Sequence, residues 1–336
     1  MAALPPRFWL LVLCCAGAFA LLWWWTLGRP RARRRQGLLR RIAEFDAGAA
    51  DPARAALPAA LIAAPASDAL HPWMLFVGNA TADPLRLLAL EDRPELFWQA
   101  RQAAQMAAIA LGPEAVCDAA DPRARSLWFR ALLALSEQRP ALPLNGIVLC
   151  IDALGLLEAP SLPSELLAQR LRGMLDETTQ LLRLQLPVYV LVTGLEKLRG
   201  HAEVARALPP AVRAQAVGHR LPESDGAGRS AVDRFEALFA PMRDRLFALA
   251  AALLREEPDP AVRLAMQQWS EQVAALQPGL RRLVGQLFEP AGAARWRGVY
   301  LAAAAAAGRD GLFTVDLLER LLPADQPLAR PLAARP

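Results

Sequence analysis

The sequence predicts an α/β protein in which a doubly wound, mostly parallel sheet follows one transmembrane helix and precedes an all-α extension. Three observations support this prediction. An uncharged apolar run of about 20 residues, Phe8 to Leu27, has the length of one membrane span. Short apolar runs then alternate with helical patterns over residues 71–225, as in parallel sheets. Residues 226–336 show helical patterns alone.

Residues 1–28 are predicted to form a membrane anchor. Tryptophans fill positions 23–25 at the end of the apolar run, where aromatic side chains favour the lipid–water boundary. Arginines are concentrated immediately after the run, so the positive-inside rule places the bulk of the chain in the cytoplasm. A cleaved signal peptide is the alternative, and the long apolar run with its basic flank disfavours it.

The net charge of +5 comes from that flank, because the chain after Arg41 carries more acidic than basic residues. The composition therefore does not predict a nucleic-acid-binding protein. Residues 29–70 are predicted to be a basic juxtamembrane segment and linker, with the first arginines near anionic lipid headgroups. Cys117 and Cys150, the two cysteines outside the span, lack the spacing of a zinc site or a disulfide framework.

Residues 71–225 are predicted to form the sheet domain. Apolar runs typical of buried parallel strands cover Met74–Val77, Gly146–Ile151 and Pro187–Val192, and shorter runs predict strands at Ala115–Asp118 and Ala214–Gly218. Helical patterns cover Glu95–Leu111, Arg125–Gln138 and Ser164–Leu184. In the extension, helices are predicted at residues 231–255, 260–276, 279–288 and 312–322.

The first predicted strand leads into a turn with the layout of a phosphate-binding P-loop. In a working P-loop, glycines let backbone N–H groups approach the phosphates, a lysine reaches the outer phosphates and a hydroxyl binds Mg²⁺. Here Gly78 opens the turn, but Asp83, Pro84 and Leu85 stand where Gly-Lys-Ser/Thr is needed. Asp83 repels phosphate, Pro84 lacks an N–H and Leu85 cannot bind a metal. We therefore predict a P-loop-NTPase-like fold without a nucleotide.

Other catalytic chemistry finds little support in the sequence. Lys197, the only lysine, is not expected to replace the missing P-loop lysine, and with Glu196 it is interpreted as an exposed loop pair. The three histidines are far apart and lack metal-ligand spacing. No catalytic residue, metal or cofactor is predicted.

Several segments carry a resemblance to a known family. They are RPALPLNGIVL at 139–149, LPVYVLVT at 186–193, LRGH at 198–201, RGVY at 297–300 and FTVDLLERLLP at 313–323. Over about residues 70–325 the chain resembles the IcmF/TssM family, the inner-membrane component of type VI secretion systems. The match between Arg139 and His201 is the most specific part.

The resemblance implies a nucleotide site in which three motifs are damaged together. Beside the altered P-loop, an Asp-Thr-Ala-Gly segment is replaced by Asp118-Ala-Ala-Asp121, which keeps the aspartate and loses the glycine. The Thr-Lys-x-Asp segment that reads guanine is replaced by Thr193-Gly194-Leu-Glu196. Several lost charge-assisted contacts are expected to take nucleotide affinity out of the useful range.

The resemblance further implies a single-pass protein of the bacterial inner membrane, acting as a scaffold or accessory component of the secretion complex and not as an enzyme. Its implied partners are the TssL/DotU-type inner-membrane protein and cytoplasmic baseplate proteins. The family's long form has additional spans and a large periplasmic region, whereas this sequence stops at Pro336, so it is expected not to bind the outer-membrane lipoprotein. The alternatives are a divergent GTPase or ATPase using Gly78, Asp118 and Thr193, and a regulator that competes with a full-length paralogue; homo-oligomerisation is open.

Overall fold

A seven-stranded sheet organises the chain in the computed structural model, which describes residues 6–23, 29–45, 51–62, 71–117, 121–222, 229–289, 294–305 and 311–332. Its strand order is β2-β3-β1-β4-β6-β8-β7, and a separate antiparallel pair joins β5 and β9. The strands are β1 Trp73–Gly78, β2 Trp98–Gln102, β3 Ala107–Leu111, β4 Gly146–Asp152, β5 Leu184–Gln185, β6 Pro187–Thr193, β7 Val217–Arg220, β8 Arg295–Leu301 and β9 Arg330–Pro331.

The five inner strands run parallel, and only the edge strands β2 and β7 are antiparallel to their neighbours. Every residue of β1, β4 and β6 is buried, as apolar runs in a sheet covered on both faces require. Along β1, Trp73, Leu75 and Val77 enter one apolar layer, and Met74 and Phe76 enter the other. The predicted mixed α/β fold with a largely parallel sheet is confirmed.

Long helices cover one face of the sheet, and short elements cover the other. The helices are α1 Pro6–Trp23, α2 Arg29–Phe45, α3 Ala59–Ile62, α4 Pro84–Leu87, α5 Glu114–Cys117, α6 Pro122–Gln138, α7 Ala153–Leu157, α8 Leu162–Leu182, α9 His201–Ala207, α10 Pro210–Ala214, α11 Ala231–Glu256, α12 Pro260–Ala275, α13 Gln277–Phe288 and α14 Leu322–Ala324. A π-helical turn, Leu317–Leu321, precedes α14, and 3₁₀ turns lie at Pro52–Ala55, Leu195–Lys197 and Gln326–Leu328.

The predicted helical extension is present as α11, α12 and α13, which pack on one another and, through α13, on α8. Ser230 caps α11 by accepting a hydrogen bond from the Asp233 N–H, and Asp259 caps α12 in the same way through the Ala261 N–H. Leu280 and Val284 of α13 are fully buried. These helices therefore share the larger apolar layer of the sheet.

The prediction of helices alone after residue 225 is wrong at β8, which lies between β6 and β7 in the sheet. Its sequence, Arg-Trp-Arg-Gly-Val-Tyr-Leu, hides the strand because two arginines interrupt it. Arg297 is buried against Asp325, with 3.0 Å between its Nε and a carboxylate oxygen. A buried strand can contain Arg297 because its charge is paired with Asp325, 28 residues further along the chain. The local sequence pattern does not show that pairing.

Two other predicted elements are wrong. Residues 95–111 form the β2–β3 hairpin and not a helix, because β3 adds to the edge of β1 with Ala107 opposite Trp73. The strand predicted at Ala115–Asp118 is the short helix α5 as far as Cys117, and Asp118 lies outside the described residues. At residues 107–111 sheet pairing overrides the helical preference of an alanine-rich segment, whereas Ala115–Cys117 forms a helical turn that packs on α6 and α8.

The amino-terminal prediction also needs correction. The structure has α1 where the span was predicted, with residues 24–28 outside the described ranges. Within those ranges, no helix combines the length and the apolar character that a membrane crossing requires. Helix α2 packs on α6: its Leu38 is fully buried, and Arg34, only 7% exposed, donates to the carbonyl of Pro140. Arg34 therefore holds the fold together and does not face lipid headgroups.

Candidate functional site

The candidate site lies at the carboxyl edge of the sheet, where β1, β4 and β6 end side by side. Ligand sites of open parallel sheets form at this edge. The loop at residues 79–83 follows β1, Asp152 ends β4, and residues 194–197 follow β6. The first and the last of these segments line a cavity of about 200 Å³, and Asp152 contacts Lys197 of that lining.

Gly78 is required by packing against the neighbouring strand. A Cβ added there would lie 2.9 Å from the carbonyl oxygen of Cys150 and 3.0 Å from its Cβ. The Cys150 thiol is buried next to this contact, and burial raises its pKa well above the ordinary value, so it stays protonated. The glycine that predicted a phosphate turn therefore also serves the contact between β1 and β4.

The loop at residues 79–83 satisfies its own hydrogen-bonding groups. The side-chain oxygen of Asn79 accepts the Ala82 N–H at 3.0 Å and the Thr81 hydroxyl at 3.1 Å. The Asp83 N–H donates to the Asn79 carbonyl at 3.2 Å. A P-loop presents such N–H groups to phosphate oxygens. Here the N–H groups of Ala82 and Asp83 are already hydrogen-bonded to the side chain and the carbonyl of Asn79.

The three altered P-loop positions start the four-residue helix α4. Asp83 has left-handed backbone angles (φ 43°) and caps the helix by accepting the Arg86 N–H at 3.0 Å. Pro84 and Leu85 are buried, and Leu85 belongs to the smaller apolar layer of the sheet. With Asp83 they line a second cavity of about 450 Å³. These residues have the roles of a helix cap and of core side chains.

Lys197 lies directly on the loop, contrary to the sequence-based prediction. Its ammonium nitrogen is 2.6 Å from the Thr81 carbonyl oxygen and 2.7 Å from a carboxylate oxygen of Asp152. We call these three groups the Lys197 clamp. It joins the ends of all three strands through one cation, so the lysine interpreted as half of an exposed loop pair is a central residue of the site.

The residues after β6 support the clamp. Thr193, which is buried, donates its hydroxyl to the Ala82 carbonyl at 2.7 Å. Gly194 has a φ of 77°, and a Cβ there would lie 2.6 Å from the Asp152 carboxylate. Glu196 accepts the N–H of Ala304, which follows β8, at 3.1 Å. Each position where a guanine-reading motif was predicted to be damaged therefore makes a structural contact.

Two predicted positions lie elsewhere or cannot be placed. Asp121 caps α6 by accepting the Arg123 N–H at 2.9 Å, and it does not line the cavity. Asp118 falls outside the described residues. Within the part of the chain that the structure describes, no cluster of three or more histidine, cysteine, aspartate or glutamate side chains has metal-binding geometry.

Sequence reasoning missed Asn79 and Asp152 as members of this site. Asp152 is the carboxylate at the end of an apolar strand. The sequence analysis assigned that role to Asp118 and not to Asp152. Asn79 directly follows the turn glycine, in a position where asparagine commonly bonds the backbone of its own turn. The missed residues supply the contacts that close the loop.

Comparison with known proteins bears on the part of this site that follows β4 and β6. A sequence model of the family described as the IcmF-related N-terminal domain matches residues 122–310. Type VI secretion system component TssM1 of Pseudomonas aeruginosa is 29% identical over 167 residues, which cover 49% of this chain and 15% of that protein. The matched part is thus a small fraction of that relative's length. The family match includes Asp152 and Lys197 and begins after the loop at residues 79–83.

Proposed function

Because the chain belongs to the family of IcmF-related N-terminal domains, we propose that it is a component of a type VI secretion system that works through contacts with other proteins, without hydrolysing a nucleotide. The similarity to TssM1 supports the assignment to this secretion system. The finer predictions, an inner-membrane location and contacts with a TssL/DotU-type protein and baseplate proteins, are part of the proposal.

The observation that carries the proposal is the Lys197 clamp. The one lysine of the chain is bound to Asp152 and to the Thr81 carbonyl, and the Asn79 side chain occupies the loop. A triphosphate would have to displace these contacts, and a hydrogen bond to a charged group is worth about 1.5–3 kcal/mol. It would also approach the Asp83 carboxylate with like charge. The site therefore favours a closed loop over a bound nucleotide.

One feature favours the second candidate, a divergent NTPase. Lys197 does bring an ammonium group to the cavity that the loop borders, together with the Thr193 and Gly194 positions. If an incoming phosphate replaced the Asp152 carboxylate as its partner, the clamp would become a phosphate contact. The two candidates thus differ in which anion Lys197 binds.

Calorimetric titration of the purified chain with Mg·GTP and Mg·ATP separates the two candidates. We expect no saturable binding below millimolar nucleotide and no phosphate release above that of buffer. Lys197→Met is the matched variant: binding at this site must disappear with it, whereas adventitious binding must not. Sub-millimolar affinity that Lys197→Met abolishes would replace the proposal with the NTPase candidate.

The partner component of the proposal is tested by co-purification with the TssL/DotU-type protein. We expect enrichment over an unrelated membrane protein, and we expect Lys197→Arg, which keeps the cation, to preserve it. Absence of enrichment from cells that produce the full set of secretion components would remove the assignment to that partner.

A further inference from the structure

A third cavity, of about 270 Å³, borders the candidate site on the α8 side. Its wall is formed by the loop after β1, the end of β4, α7, the first turns of α8 and α13 between Gly279 and Gln286. We call it the α8 groove. Its volume lies just below the range of about 300–1,000 Å³ of pockets for whole small-molecule ligands. It suits a few side chains of a larger partner.

The wall of the α8 groove is fixed in advance. A Cβ on Gly279 would lie 2.2 Å from the Leu156 carbonyl oxygen, so the backbones of α13 and α7 are in direct contact. Leu156 and Leu283 are both buried at this junction. On the opposite side the Lys197 clamp holds Thr81 and Asp152, which also line the groove. A preformed groove costs a partner little ordering free energy.

Apolar side chains line the groove, among them those of Ile151, Leu156, Leu167 and Leu283. Leu167 of α8 is half-buried and the other three are buried, so Leu167 is the most accessible of them to a partner. An apolar groove between helices suits the apolar face of an amphipathic helix, which anchors through residues at i, i+3 or i+4.

The charge of the α8 groove is negative. Glu158 and Glu165 line it, both are exposed, and neither forms an ion pair among the described residues. Arg282 is the only guanidinium in the lining, and the Asp152 carboxylate is already neutralised by Lys197. Two unpaired carboxylates against one cation attract a basic partner and repel an acidic one.

We propose that the α8 groove docks a basic amphipathic helix from a partner protein, an inference that rests on the proposed function through protein contacts. A second copy of this chain is the less suitable occupant. Its own arginine-rich amphipathic helix, α2, already buries Leu38 and Ile42 within its own fold. The groove therefore takes its helix from another protein.

Selection from a displayed library of helix-forming peptides tests the proposal on the full chain. Enriched peptides should carry apolar residues at i, i+3 or i+4 spacing and more lysine and arginine than aspartate and glutamate. Their affinity should fall by about tenfold with Leu167→Ala, which removes an apolar side chain of the lining. It should fall by about fivefold at low salt with Glu158→Gln plus Glu165→Gln. Leu264→Ala is the matched control, because Leu264 on α12 is 56% exposed and lies outside the groove.

An empty selection, enriched peptides that are acidic, or peptides that bind all variants equally would overturn the proposal. Sedimentation of the wild-type chain beside the Leu167→Ala variant tests the other occupant, since a dimer lost only in the variant would assign the groove to a second copy. The proposed function fails separately: nucleotide binding through Lys197 would overturn it whatever the peptides do. Co-purification with a TssL/DotU-type protein would uphold it even if the groove bound no helix.

Discussion

Replacing Lys197 with methionine is expected to destabilise the chain by about 1–3 kcal/mol. Methionine keeps the length and apolar stem of the side chain while removing the charge. The Asp152 carboxylate, only 9% exposed, then loses its cation and keeps the Gly155 N–H, at 3.3 Å, as its remaining hydrogen-bond donor. Lys197 itself is 30% exposed, so water compensates part of the loss.

The magnitude follows from that intermediate exposure. Breaking a fully buried pair costs about 3–5 kcal/mol, whereas an exposed pair contributes about 0–1 kcal/mol. Urea denaturation of wild type, Lys197→Met, Asp152→Asn and the double variant gives a double-mutant cycle, in which we expect a coupling free energy of about 1–2 kcal/mol. Arg86→Met is the control, because it removes an exposed cation from the same region, and it should change stability by less than about 0.5 kcal/mol. A Lys197→Met effect no larger than this control, or a coupling near zero, would refute the clamp as the group that closes the loop.

Three further predictions concern the rest of the fold. Gly78→Ala should destabilise the chain by about 1–3 kcal/mol in the same denaturation assay, because its Cβ has no room against the Cys150 backbone; full stability would show that β1 and β4 can separate freely. Asp325→Asn should cost about 3–5 kcal/mol, since it leaves Arg297 and Arg220 without their carboxylate and weakens the partner of the Tyr189 hydroxyl; a loss below about 1 kcal/mol would contradict this. Burial raises the pKa of Tyr189 and Tyr300, the only tyrosines, so at pH 10 the folded chain should show less tyrosinate absorbance than the unfolded chain, which titrates there. Because the pKa values of both tyrosines are higher in the folded chain than in the unfolded chain, their contribution to stability should be fully present below pH 10 and lost as the pH rises above it. Titration of the folded chain near pH 10 would disprove the burial of these hydroxyls.

The strands that sequence reasoning found are those with no competing signal. β4 and β6 are unbroken apolar runs, typical of a sheet buried on both faces, and their positions agree with prediction within one residue. β3 is Ala-Ala-Ile-Ala-Leu, whose alanines favour a helix by propensity, and its pairing with β1 and β2 makes it a strand. β8 is concealed by Arg297, whose burial depends on Asp325. Local pattern thus predicts an element when its own residues decide the structure, and fails when a distant partner does.

The features of the candidate site also fall into those that the local sequence predicts and those that depend on distant contacts. The sequence alone shows that Asp83, Pro84 and Leu85 occupy the positions where a P-loop has its lysine and hydroxyl, and that each of these residue types excludes a specific contact. The contact between Lys197 and Thr81 could not be predicted from the sequence, since it joins loops that are 116 residues apart. It becomes predictable only once β1, β4 and β6 are known to be neighbours, because parallel strands bring their carboxyl ends together.

The Lys197 clamp and the α8 groove share structural elements, and this sharing suggests why a loop without a phosphate would stay closed. Thr81 and Asp152 are clamped from one side by Lys197 and line the groove on the other. In a nucleotide-binding protein, a bound phosphate and its metal hold such loops in place. Here a lysine of the chain itself supplies the positive charge, so the loop needs no ligand to stay ordered. Under the proposed function, a groove wall fixed in this way would present the same surface to a partner protein with or without nucleotide.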